Sequence, residues 1–340
     1  MIEVSLILCA HNPPPQHLQR TLASLCAQTL PRDRWELIVV DNASDTPLAE
    51  VADLSWHPLG RHVREDELGL APARARGIRE SRGGVLVFVD DDNLVAPDYL
   101  CVACAIAGEW PRVGVWGGSC VPEFETPPDE SLRRYLCWMA VMEVDHVHVT
   151  TLLQGPGYRP IGAGMCLRRC IALPWAEEIG VDPARRRLGA RGDCPAGSED
   201  EDIRMSAVRL GYAMGVFPSL SLVHLIPAER VTLTAFARLY EHRLASQMAL
   251  AAAHGREGVA PSAAGFATAA QAMFRSLRRP GALAGRIRGV WTEHVMHRAA
   301  RRAVRRFDRA HARDRGGADG PMAGDVRRPA SRRRPGTESP

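Results

Sequence analysis

Three consecutive carboxylates, Asp90-Asp91-Asp92, directly follow the apolar run Val85-Leu86-Val87-Phe88-Val89. Like charges side by side repel and lose hydration, so folding alone gives no reason for them. A divalent cation among them would, and hard carboxylate oxygens suit Mg²⁺ or Mn²⁺. A solvated acidic turn accounts for three acids taken alone equally well. A second acidic group, Ser198-Glu199-Asp200-Glu201-Asp202, opens a helix-like stretch. Ser198 suits an N-cap, Glu201 stands at the capping-box position, and acids in a first turn favour the helix dipole. Capping therefore explains that group without any chemistry.

Weaker candidates surround these two. His146 and His148 alternate with Val144, Val147 and Val149, but no partner motif is near, so packing accounts for them. Cys101 and Cys104 have CxxC spacing without a second pair. The cysteines, among them Cys9, Cys26 and Cys166, sit mostly in apolar settings and read as reduced core residues.

The elements that must position the acids follow from periodicity. Val4–Ala10 and Glu36–Val40 are strand-like apolar runs, and Val85–Val89 is a third, apolar enough to be buried on both faces. Prolines 13–15 stop the first run, and Leu18, Leu22 and Leu25 then recur at helical spacing over 16–28. Gly69 to Ile78, with Pro72 in its first turn, reads as a helix start. This β-α-β-α-β alternation predicts a doubly wound parallel sheet, whose ligands lie beyond the carboxyl ends of the strands. The first strand is not followed by GxGxxG, which disfavours a dinucleotide site.

Further along, Val113–Gly118 predicts a strand, Pro122–Pro128 a loop-like boundary, and 131–143 a helix with Leu132, Tyr135, Leu136 and Met139 on one stripe. Tyr135 and Trp138 read as packing or as a stacking surface for sugar. Ile161 to Arg169 is a glycine-rich strand entry. Val216–Pro218 and Leu222–His224 read as two short strands, and Thr232–Ala253 as a helix.

The 340 residues contain no lysine; all 43 basic residues are arginine. From residue 275 onward there are 18 arginines against 6 acids, whereas residues 1–274 hold 25 against 33. The body is mildly acidic and carries a basic tail. Segments within 275–306 are basic and amphipathic, and from about Ala310 the composition predicts disorder. The tail lacks aromatic interleaving, which argues against nucleic acid as a partner and leaves attraction to an anionic membrane or a purely solvated role. No apolar run approaches the roughly 20 residues needed to span a bilayer, and no signal peptide is present, so a cytoplasmic location is expected, with peripheral contact at the inner face of the membrane as a further option.

The blocks Ser5–Asn12, Val39–Asp45, Gly69–Arg74 and Phe88–Asp92, in this order and spacing, resemble family 2 glycosyltransferases, over about residues 3–245. The resemblance implies the GT-A (nucleotide-diphospho-sugar transferase) fold, an α/β domain with a Rossmann-like, mostly parallel central sheet flanked by helices. It implies an inverting transfer from a nucleotide-diphosphate sugar, most often a UDP-sugar, to a saccharide or lipid-linked acceptor, with Mn²⁺ or Mg²⁺ as cofactor. By this likeness Ala10, Asn12, Asp41, Arg74, Asp90 and Asp91 contact the nucleotide donor. Asp92, Asp90 and His224 hold the metal, Asp200 is the general base with Glu199 as second choice, and Asp202 supports them. Arg230 contacts phosphate. The basic stretch Arg185–Asp193 resembles a mobile loop closing over the nucleotide, and Ala75 departs from the family, which often has Asn there. The division expected is a nucleotide-sugar half at 1–125, an acceptor-binding half at 126–230, a helical extension at 231–306 and a disordered basic tail at 307–340. The competing readings are a sugar-1-phosphate nucleotidyltransferase, disfavoured by His11-Asn12-Pro13-Pro14 after the first strand, and a non-catalytic nucleotide-sugar-binding protein.

Overall fold

Along the chain the elements run β1 (Val4–Ala10), α1 (Pro15–Cys26), β2 (Trp35–Asn42), α2 (Leu48–Val51), β3 (Gly60–Glu65), α3 (Leu70–Glu80), β4 (Val85–Asp90), β5 (Asn93–Val95), α4 (Tyr99–Glu109) and β6 (Val113–Phe124). After a 3₁₀ helix at Glu130–Met139 come β7 (His148–Thr150), β8 (Cys166–Arg168), α5 (Arg169–Val181), α6 (Pro183–Arg186) and α7 (Glu199–Arg209). β9 (Ala213–Ile226), a 3₁₀ turn at Ala228–Val231 and α8 (Leu233–Ala253) complete the order. This computed structural model describes residues 1–153, 157–192 and 197–255, with single positions between 295 and 305. The basic segments expected within 275–306 lie almost wholly outside the described residues, and so does the tail.

One mixed sheet carries everything, in the order β3-β2-β1-β4-β8-β6-β9-β5, with β7 on β9. β3, β2, β1 and β4 are all parallel, in continuous register: Leu6 lies between Leu37 and Val87, Ile7 between Ile38 and Phe88. Every residue of β1 and β2 is buried, because helices cover both faces of this half. Leu6, Leu8, Leu37, Val39 and Val87 face one apolar layer; Ile7, Ile38, Val40, Leu86 and Phe88 face the other, against α3 and α5. A third cluster joins the Glu130–Met139 helix to α8 through Leu132, Met139, Phe236 and Leu239. Glu36, a fully buried charge in β2, accepts from Ser5 Oγ at 2.6 Å and from Arg61 at 2.7 Å. Burial works to raise its pKa, but these bonds prevail and hold it below the usual carboxylate range.

The second half departs from the expected elements. β6 continues through Pro122 to Phe124 rather than ending in a loop, because β9 pairs with it as far as Phe124–Ile226. Beyond Trp116, β8 no longer pairs with β6, and such an edge tolerates proline. The two short strands expected around Pro218 are one strand of 14 residues. The helix expected over 131–143 is a 3₁₀ helix ending at Met139, closed by Ala140 at φ 60°. Ser198 makes no side-chain cap at α7; its N–H instead donates to Leu188 O at 2.7 Å. Among the described residues no helix is long and apolar enough to cross a membrane.

Candidate active site

β1, β2 and β4 end side by side, and the strand order reverses at β1, so a crevice opens beyond their carboxyl ends. The cleft there is lined from the sheet by Cys9, Ala10, His11, Asn42 and Asp90–Asn93. Burial pushes the Cys9 thiol up to about 12, so it stays a neutral packing group.

The three-aspartate turn is pinned from several directions. Asp91 O accepts from Thr21 Oγ1 at 2.9 Å, and Asp92 O accepts from Leu225 N at 2.8 Å. β5 starts at once and pairs antiparallel with β9, setting Asn93 opposite His224. That register delivers His224, whose Nε2 lies 3.2 Å from Asp92 Oδ2, while Arg230 donates to the same oxygen at 3.3 Å. Burial raises the Asp90 and Asp91 carboxyls, Asp91 up to about 8 as Asp92 and Asp90 repel its charge. Asp92 goes the other way: burial opposes ionisation, but His224 and Arg230 outweigh it.

Arg74 ties this turn to the second acidic group. Its side chain is 1 % exposed at the start of α3, lies over the Phe88 ring, and donates to Asp90 Oδ1 and Glu199 Oε1, both at 3.1 Å. A third bond reaches Gly162 O at 3.3 Å. The glycine is required, since a Cβ there would stand 2.9 Å from both terminal nitrogens of Arg74. The glycine-rich entry to β8 is thus fitted to the arginine, and Gly162 and Ala163 line the cleft.

Glu199 and Asp200 both reach the cleft from the first turn of α7 but differ in access. Glu199 is 7 % exposed and held by Arg74; burial lifts its pKa to about 7 against the pull of that arginine. Asp200 is 24 % exposed, with Arg204 at 3.9 Å. Asp202 faces away, accepting from Trp175 Nε1 at 2.7 Å and Arg185 Nη2 at 2.8 Å, with His254 Nε2 at 2.7 Å.

The remaining expectations divide. Ala10 lines the cleft, whereas Asp41 and Asn12 are not among its lining residues. The Asp41 carboxylate accepts from Ser44 N, Leu48 N and Arg64, and Asn12 exchanges bonds with Ser44 and Asp45. Both brace the turns behind the strand ends, where Asn12 and Ala43 hold left-handed backbone at φ 46° and 56°. Arg185 is not a loop cation: it is buried on Asp202 and Glu178. His146 pairs with exposed Asp145 and His148 lies in β7, both outside the cleft lining.

Three lining residues carried no sequence signal of their own: Ala140, Leu239 and Arg243. Leu239 and Arg243 stand one helical turn apart in α8, a spacing that puts them on one face.

The donor chemistry of the aspartate turn fits a hard divalent cation: Asp90, Asp91 and Asp92 line one cleft, with His224 beside Asp92. Among the described residues no three His, Cys, Asp or Glu side chains are already gathered as a ligand set. Asp92 would therefore loosen its hold on His224 or Arg230 to take a cation.

Comparison with known proteins shows what the N-terminal half resembles. The pattern described as glycosyl transferase family 2 matches residues 5–154. The matched segment holds β1 to β7, with the aspartate turn and Arg74. The described chain is an α/β domain built on one mixed sheet flanked by helices. Glycosyltransferase AglE of Haloferax volcanii is 32% identical over 92 residues, 26% of this chain and 30% of that protein. Validoxylamine A glucosyltransferase of Streptomyces hygroscopicus subsp. jinggangensis is 33% identical over 135 residues, 34% of this chain and 32% of that protein. The chain thus spans about a third of the length of these curated relatives. Among solved structures, GalNAc-T7 with UDP, GalNAc and Mn²⁺ superposes at a TM-score of 0.48, with 17% identity over 73% of this chain and 50% of that one.

Proposed function

We propose that this chain is an inverting glycosyltransferase that moves a sugar from a nucleotide-diphosphate donor, in first place a UDP-sugar, to an acceptor hydroxyl. The observation that carries this reading is Arg74. One buried guanidinium bonds Asp90 at one end and Glu199 at the other, so two acidic groups 109 residues apart in sequence line the same cleft. The family match supplies the reaction class, and the relatives' names place sugar transfer within it.

The donor nucleotide is assigned to the strand-end side, against Ala10, His11 and Asn42, with Asp41 bracing the turn behind them. Asp92 and Asp90 would hold Mn²⁺ or Mg²⁺, with Asp91 and His224 beside them; the ion supplies charge neutralisation at the departing diphosphate. Asp200, the more accessible acid of α7, takes the proton from the acceptor hydroxyl as that oxygen attacks the anomeric carbon from the opposite face. One displacement inverts the configuration. Glu199, fixed by Arg74, keeps α7 in register with the aspartate turn. The basic C-terminal region is assigned to contact with an anionic surface near a lipid-linked acceptor, on its charge alone.

The test is incubation with a panel of nucleotide sugars and Mn²⁺, following the nucleotide product. Release of UDP with inversion at the sugar carbon supports the proposal. Formation of pyrophosphate-linked products instead, or no turnover with any donor, overturns it.

A further inference from the structure

Arg243 lines the cleft but has no task in the reaction just described. α8 sends Leu239 and Arg243 into the cleft from successive turns, beside Trp138, Met139 and Ala140. Trp138 is clamped there, stacked on Tyr240 with ring centres 4.5 Å apart and 11° between planes, and tilted against Tyr135 at 4.7 Å. This wall is fixed, apolar and opposite the strand ends.

The other arginines lining the cleft are engaged or belong elsewhere. Arg74 serves Asp90 and Glu199, and Arg230 serves Asp92. Arg191 sits on the donor side, since its neighbour Ala190 accepts from Leu70 N at the start of α3. Arg243 makes no hydrogen bond or ion pair among the described residues; Glu201 is the acid its field reaches. Five acids line the same cleft: Asp90, Asp91, Asp92, Glu199 and Asp200. Such a cleft repels a negatively charged acceptor unless a dedicated cation meets it.

We propose that Arg243 reads an anionic substituent, a carboxylate or a phosphate, on the acceptor, with Trp138 and Leu239 covering the adjoining ring. The inference rests on the glycosyltransferase reading and names the acceptor class for it. A guanidinium offers two parallel N–H groups to either anion, which a neutral hydroxyl cannot match. Arg243 and Asp200 line the same cleft, so an anion held at Arg243 keeps the rest of the acceptor within the space that the base shares.

The experiment uses the full chain saturated with UDP and Mn²⁺, titrated calorimetrically with methyl glucoside, methyl glucuronide and glucose 6-phosphate. At least one anionic sugar is expected to bind about tenfold or more tighter than the glucoside, and the two charged arms decide between carboxylate and phosphate. Arg243→Gln abolishes that preference while UDP affinity is kept, and Arg243→Lys restores part of it. Equal binding of the three sugars, no binding of any, or a preference that survives Arg243→Gln overturns the proposal. Failure of the parent protein to bind UDP, seen before any sugar is added, sinks the glycosyltransferase reading and takes the acceptor assignment with it.

Discussion

Asp200 and Asp92 stand at the two ends of the proposed displacement, and substitutions there separate chemistry from binding. Asp200→Asn keeps size and hydrogen bonding but cannot take a proton, so transfer should fall by about 10²–10⁴-fold with UDP affinity unchanged. Asp92→Ala should abolish the increase in UDP affinity that Mn²⁺ confers, as read by calorimetry with and without the ion. Equal turnover in both variants and parent would remove both assignments. A third substitution tests the link between the acids. Gly162→Ala puts a methyl group 2.9 Å from both terminal nitrogens of Arg74, so the guanidinium must leave Asp90 or Glu199. A loss of activity comparable to that of Arg74→Ala is expected, with the fold retained by circular dichroism. The acids were legible in the sequence because charges at the end of an apolar run break the pattern that folding alone would write. Arg74 was legible as a site residue but not as a strut, because no local pattern says that a guanidinium will be buried between partners 16 and 125 residues away.

At the scale of elements, α7 is held by its back rather than by its cap. Asp202 is fully buried and takes bonds from α5 through Trp175, from α6 through Arg185, and from the end of α8 through His254. Asp202→Asn leaves the Arg185 charge with Glu178 as its remaining acid, and breaking a buried pair in this way costs about 3–5 kcal/mol. Burial alone would raise the Asp202 pKa, but His254 and Arg185 bring it below the usual carboxylate value. Its contribution is therefore present above the unfolded pKa of about 3.9 and is lost as pH falls through the folded value. Denaturation midpoints should show a steeper acid limb in the parent than in Asp202→Asn; parallel limbs would refute the role. The parallel β-α-β core was legible because strands buried on both faces are unbroken apolar runs. β3, with the sequence Gly-Arg-His-Val-Arg-Glu, was not, since a strand at the sheet edge needs no such run. The Arg185 stretch misled for a related reason: in a chain whose only strong base is arginine, structural and phosphate-binding arginines look alike.

Across the whole molecule, Arg74 joins the parallel half of the sheet to α7, and burial raises the pKa of both carboxyls it bonds, Asp90 and Glu199. Glu199 has its folded pKa raised to about 7, above an unfolded value of about 4.3. A carboxyl shifted upward binds protons better in the folded state, so its contribution is full below about 4.3 and is lost as pH rises through about 7. Between pH 5 and 8 the parent should therefore lose stability, and Glu199→Gln, which removes the titrating group and keeps an acceptor for Arg74, should flatten that slope. Arg74→Met sharpens it, because Asp90 and Glu199 then lose the cation that favours their ionised forms, and acidification from pH 8 to 5 should restore much of the lost stability. Urea midpoints across this range decide the matter. If Arg74→Met is destabilised equally at both pH values, the two acidic groups are not coupled through that guanidinium. The single cleft on which the proposed reaction depends would then need another architect.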